Sequence, residues 1–147
     1  MLTLTALTIG LHIGSVHLPQ ADYLSDVNPG IYVRHDNGIT AGVYRNSFNR
    51  MSVYGGYTFS HGPFDLTVGL ISGYQYRPTP VACDPVTQPG WTDCWKDLGG
   101  TSSRIAPLVA PSVRLPALIG ITPRLTFLPK LNAKGHNTFH LSVERHF

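Results

Sequence analysis

From Ala41 to Phe59 the chain reads AGVYRNSFNRMSVYGGYTF, and strict alternation runs through it. Before Asn46-Ser47, Ala41, Val43 and Arg45 alternate with Gly42, Tyr44 and Asn46. Beyond it, Met51, Val53, Gly55, Tyr57 and Phe59 alternate with Ser52, Tyr54, Gly56 and Thr58. A period of two in aromatic and β-branched residues is a strand signal, and helical spacing is absent. The stretch is two strands joined by a tight polar loop, with Asn46 and Ser47 on strand ends rigid enough to position a functional group.

The same alternation predicts eight strands, over 4–17, 29–36, 39–46, 50–60, 64–75, 105–116, 121–129 and 138–147. Tight turns are expected at Asp36-Asn37-Gly38, His61-Gly62-Pro63 and Ala117 to Gly120. In an up-and-down meander these fall at one end with both termini. The four other connections, after His17, at Ser47, over 76–104 and from Lys130 to Asn137, fall at the other. An even strand count with short turns at one rim and longer loops at the other is the layout of an outer-membrane barrel. The expectation is one all-β domain over 1–147, an eight-stranded antiparallel barrel whose long loop, 76–104, carries no strand pattern. Charged residues make up 13% of the chain, about half the roughly 25% of soluble domains. No window approaches the ~18 apolar residues of a spanning helix. The formal charge of +3 is scattered, which gives no nucleic-acid footprint.

Alternation alone leaves open which face is outside. Leu7, Ile9, Leu11 and Ile13 share one face opposite Thr8, Gly10, His12 and Gly14; Phe64, Leu66, Val68 and Leu70 do the same, as do Phe139, Leu141 and Val143 opposite His140, Ser142 and Glu144. In lipid the apolar face points out. In water it fills the barrel. The N-terminus lacks a signal peptide's basic and small-residue flanks and reads as the first strand. Two locations follow: the outer membrane, if a leader is removed before Met1, or the cytoplasm or a larger assembly.

These residues resemble the outer-membrane lipid A palmitoyltransferases (the PagP-like barrels). YRNSFNRMSVYGGYTF is similar to the family's run of aromatic, basic, Asp, Ser, aromatic, Asn, basic and aromatic residues before a Gly-Tyr strand. PLVAPSV and LTFLPK resemble its two proline-bearing strands, through Pro111 and Pro129, and VNPG its second-strand start. SVHLP resembles the segment carrying its catalytic His. The resemblance implies an eight-stranded barrel with acyltransferase or esterase activity on phospholipid or lipid A acyl chains, without metal or other cofactor. It implies catalytic roles for His17, Asn46 and Ser47. Three positions depart from the family: Asn46 replaces its Asp, Thr58 stands where a Gly floors the acyl pocket, and the chain begins on strand one without the family's N-terminal helix. A neutral amide cannot stabilise an imidazolium, which argues against full activity.

On a flat sheet, strands one and three lie roughly 10 Å apart at ~4.8 Å per strand. That favours separate roles, with His17 as general base on an acceptor hydroxyl and Ser47 polarising or attacking the carbonyl. Asn46-Ser47 is also ordinary turn chemistry. Tyr44, Tyr54 and Thr58 are candidate binding residues or packing groups, and Lys130 is a rim cation for phosphate or a solvated charge. His140 and Glu144 form a candidate polar lumen pair. In the long loop, Trp91 and Trp95 flank Cys94, eleven positions beyond Cys83. A disulfide there would constrain the loop by about 3 kcal/mol, and two free thiols are the equal alternative. Such an aromatic loop suits a protein partner or self-association, in which case the barrel is a non-catalytic scaffold.

Overall fold

The computed structural model describes residues 6–19, 24–73, 105–130 and 136–147, together with the backbone of 78–81 and 94–97. Among the described residues there are ten strands: β1 Leu7–Leu18, β2 Val27–His35, β3 Ile39–Arg45, β4 Met51–His61, β5 Phe64–Ile71, β6 Pro78–Val81, β7 Cys94–Asp97, β8 Ala106–Arg114, β9 Thr122–Leu128 and β10 Asn137–His146. Eight of them close into an antiparallel up-and-down barrel in which β5 meets β8 and β10 returns to β1. Among the described residues there is no helix.

Two expectations need correction. The long connection does contain strands, since β6 and β7 pair antiparallel as a separate ribbon. Each is only four residues long, too short to show a period, and Pro78 and Pro80 mask the signal in β6. Prolines two apart present the same strand edge, which leaves the other free to pair. β5 ends at Ile71 rather than 75. Gly73 takes a φ of 92°, and a Cβ there would meet the Met51 carbonyl oxygen at 2.3 Å, so the chain turns against β4 instead of continuing.

The barrel is apolar outside and mostly polar within, with a small apolar cluster of Tyr44, Ile71, Leu108 and Ala110 in its interior. Leu11, Val16, Ile31, Val53, Leu70 and Leu141 are exposed on its outer surface, while Arg34, Asp65, Arg124 and Glu144 are buried. Alternation is preserved along the strands, but the face that a soluble β-core would hide is turned outward. Aromatic side chains mark both ends of this surface. Tyr57, Phe59, Phe64 and Phe147 lie toward the turn-bearing rim, and the touching pair Phe127–Phe139, 5.2 Å between centroids, toward the loop-bearing rim.

Inside, three layers follow one another from the loop-bearing mouth downward. The first is small and polar: Ser15, His17, Asn28, Asn46, Ser47 and Ser52. The second is aromatic and centres on His12, whose ring nitrogens reach His140 Nε2 at 2.8 Å and the Tyr54 hydroxyl at 3.0 Å. Tyr32 and Tyr44 pack on the same ring at 5.1 and 5.0 Å. Gly10 and Gly42 make room for these rings, since a Cβ would lie 2.0 Å from Tyr32 and 2.6 Å from Tyr54. The third is an ion-pair network joining Arg34, Asp65, Arg114, Arg124 and Glu144.

Candidate catalytic site at the loop-bearing mouth

His17 reaches the lumen because β1 breaks its own alternation. Thr8, Gly10 and His12 face inward at even positions, whereas Ser15 and His17 face inward at odd ones. The pairing register of β1 shifts between His12 and Gly14 against both neighbouring strands. One irregular step reverses every side chain beyond it. Without it His17 would share the outer face with Leu7, Ile9 and Leu11.

The same place brings the β1–β2 connection close. The Ser15 amide donates to the Asp26 carbonyl at 2.8 Å, and a Cβ on Gly14 would meet that oxygen at 2.6 Å. The Ser25 amide donates to the Ser47 carbonyl at 2.8 Å, tying this connection to the β3–β4 loop. Asn28 clamps β2 to β3 through Nδ2, which donates to the Arg45 carbonyl at 3.1 Å.

The result is a chain of three side chains. Ser47 Oγ lies 2.6 Å from His17 Nε2, and His17 Nδ1 lies 3.1 Å from Asp26 Oδ1. The partners assign the tautomer. An ionised carboxylate only accepts, so Nδ1 carries the proton, and Nε2 is left to accept from the serine hydroxyl. Ser15 Oγ stands 3.5 Å from Nε2 but gives its proton to Asn28 Oδ1, so it does not compete. His17 and Ser47 are buried, at 4% and 7% exposure, while the Asp26 side chain is 53% exposed at the mouth. Such an arrangement can make a serine hydroxyl nucleophilic.

The flat-sheet separation fails here because both side chains point into a closed barrel, where inward groups on strands one and three converge. Asn46 has a different place. Its Oδ1 accepts from the Phe48 and Arg50 amides at 3.0 and 3.1 Å, and its Nδ2 donates to Ser52 Oγ at 3.0 Å and the Gly73 carbonyl at 2.9 Å. Both ends of the amide shape the loop that presents Ser47. A carboxylate would oppose the Gly73 carbonyl, where the amide donates to it. Asn46→Asp should therefore destabilise the barrel by about 1–3 kcal/mol, read as a lowered urea midpoint in detergent. An unchanged midpoint would contradict this role.

Tyr44 and Tyr54 lie below the site in the aromatic layer, and Thr58 lies lower still, bonded to Thr40 at 2.7 Å and Thr67 at 2.9 Å. Lys130 is exposed at the loop-bearing rim, its amide donating to Asn137 Oδ1 at 3.1 Å. His140 and Glu144 share the lumen but in different layers, with His12 and with the arginines respectively. Trp91 and Cys83 lie outside the described residues; Cys94 and Trp95 are described only as backbone of β7. Among the described residues no group of three or more His, Cys, Asp or Glu is arranged to hold a metal ion.

Asp26 was not singled out from sequence. Its one signal was position: an acid nine residues past His17, immediately before the next strand. No protein-family model matches the chain, and a search of curated proteins returns no significant match.

Proposed function

We propose that this chain is a lipid-embedded barrel that cleaves or transfers acyl groups held in ester linkage, with Ser47 as nucleophile, His17 as general base and Asp26 orienting His17. The observation that carries the chemistry is the 2.6 Å contact between Ser47 Oγ and His17 Nε2, backed by Asp26 on Nδ1. Ser47 Oγ attacks the ester carbonyl carbon as its proton passes to Nε2, and the Asp26 carboxylate stabilises the imidazolium. Collapse of the tetrahedral intermediate breaks the carbon–oxygen bond to the alcohol, which leaves with the proton from Nε2. An acceptor hydroxyl or water, deprotonated by His17, then takes the acyl group from Ser47.

The bilayer setting rests on the outward apolar surface, its aromatic margins and the polar lumen, the distribution expected of a barrel in lipid. Arg45 and Lys130, both exposed near the site, suit phosphate headgroups of a phospholipid or lipopolysaccharide. This reading agrees with the resemblance to lipid A palmitoyltransferases and moves the carboxylate from position 46 to position 26.

Two measurements test it. The purified full-length protein should float with phosphatidylcholine vesicles in a density gradient. Recovery from the bottom fraction without detergent would rule out the bilayer setting. A fluorophosphonate probe should label Ser47, seen by peptide mass spectrometry, and His17→Ala should reduce labelling at least 100-fold. Labelling elsewhere, or equal labelling of the variant, would sink the nucleophile. Gly14→Ala should act through Asp26: the carbonyl 2.6 Å from the new Cβ must retreat, so labelling falls about as far as in Asp26→Ala while the barrel still floats.

A further inference from the structure

At the end of the barrel opposite Ser47, the lumen opens into a vestibule of about 700 Å³. The buried Arg34, Thr58 and Glu144 lie deepest in it, while Arg114 and the exposed Ser60 line it farther out. The acyl chemistry proposed for the mouth makes no use of this space.

The ion-pair network beside the vestibule is unbalanced. Arg34, Arg114 and Arg124 supply three cations, against the two carboxylates of Asp65 and Glu144. Glu144 is held between Arg34 and Arg124, so all three guanidiniums converge on one oxygen, Asp65 Oδ2. Arg114 is the least compensated. Its Nε lies 3.3 Å from that oxygen, yet it is a buried donor without a hydrogen-bond acceptor among the described residues. Its Nη2 donates to a neutral group, the Gly62 carbonyl, at 2.6 Å. The Arg114 side chain is also the most open of the three, at 31% exposure against 10% for Arg34 and 6% for Arg124. Asp65 Oδ1 lacks a donor too, but Asp65 does not line the vestibule. The remaining carboxylate there, Asp36, is half exposed and stands 3.8 Å from His146.

A guanidinium short of counter-charge, at the side of a polar space, attracts oxyanions and bonds them through its fork of donors. Hydroxyls of Ser60 and Thr122 face the same space. Its volume exceeds what inorganic phosphate needs and falls within the range of small-molecule sites. Tyr57 and Phe59 border it at the aromatic margin, so a headgroup at the bilayer surface and a soluble phosphate both have access. We infer that this vestibule is a second binding site, which takes a phosphate monoester, with the phosphate on Arg114.

The test titrates glycerol 3-phosphate into the full-length protein in dodecyl maltoside at low salt, followed by calorimetry. Binding should weaken at least about tenfold in Arg114→Met. It should weaken about fivefold in Ser60→Asp, which adds a carboxylate at an exposed position and leaves the ion pairs alone. Ser47→Ala should bind as the unaltered protein does, which separates this site from the mouth. In phosphatidylcholine vesicles, phosphatidic acid is then exchanged for oleate at equal surface charge. A weaker apparent affinity with phosphatidic acid makes a lipid headgroup the occupant, and an unchanged one makes it a soluble phosphate; both keep the site. No binding up to about 10 mM, acetate bound as tightly as glycerol 3-phosphate, or an affinity unmoved in either vestibule variant overturns it.

Discussion

Ser47→Ala should lower ester turnover by about 10³–10⁶-fold, and Asp26→Asn by a smaller factor of about 10–10³. The difference follows from exposure. Ser47 and His17 are buried together, so nothing replaces the lost nucleophile. Asp26 is half in solvent, and water screens its attraction for the imidazolium. It retains a second role that screening does not touch. The carboxylate holds the Nδ1 proton, whereas an asparagine amide can donate to Nδ1 and move that proton to Nε2, where Ser47 needs an acceptor. Asp26→Ala leaves a gap at the open mouth, and added formate should restore part of its activity. A merely structural Asp26 gives no formate response and loses stability in step with turnover. The double variant Ser47→Ala, Asp26→Asn should be no worse than Ser47→Ala alone, because the three groups act as one unit. Full activity in Ser47→Ala would sink the mechanism.

The barrel was legible because strand period and turn chemistry are local. Asn37-Gly38 and Gly62 declare their turns, and Gly38 and Gly62 do take positive φ. The outward orientation of the apolar face was not legible. Arg34, Asp65, Arg124 and Glu144 occupy the polar phase of their strands whichever face is outside, and only closure makes them meet. The candidate site was half legible. His17 and Ser47 could be singled out by resemblance, but the distance between them depends on barrel curvature and on the register shift at His12–Gly14, which no residue in GLHIGSVH announces. Asp26 was hidden for a related reason. It lies on a connection, where there is no period to read, and its approach to His17 depends on the Ser15–Asp26 and Ser25–Ser47 backbone bonds. Asn46 stands out beside Ser47 by resemblance, but the bonds of its amide to the loop backbone, Ser52 and Gly73 depend on contacts that no local pattern announces.

Asp65→Ala should cost about 3–5 kcal/mol, the largest stability loss expected from a single substitution in this barrel. Its carboxylate has no exposure, and Oδ2 lies 3.2 Å from Arg34 Nη1, 3.3 Å from Arg114 Nε and 3.3 Å from Arg124 Nη2. With Asp65 removed, Glu144 alone faces Arg34 and Arg124, accepting also from the Tyr32 hydroxyl at 2.7 Å. With one carboxylate left among three neighbouring guanidiniums, the cations repel one another. The loss should appear as a lower urea midpoint in detergent micelles, followed by far-ultraviolet circular dichroism. Asp65→Asn should lose less, since the amide keeps the shape and still accepts from one guanidinium. Removing a partner as well, in Asp65→Ala with Arg124→Met, should recover part of the deficit, because the penalty arises from the unpaired cation more than from the missing bond. A midpoint for Asp65→Ala equal to that of the unaltered chain would mean that the network is hydrated and carries little of the barrel's stability.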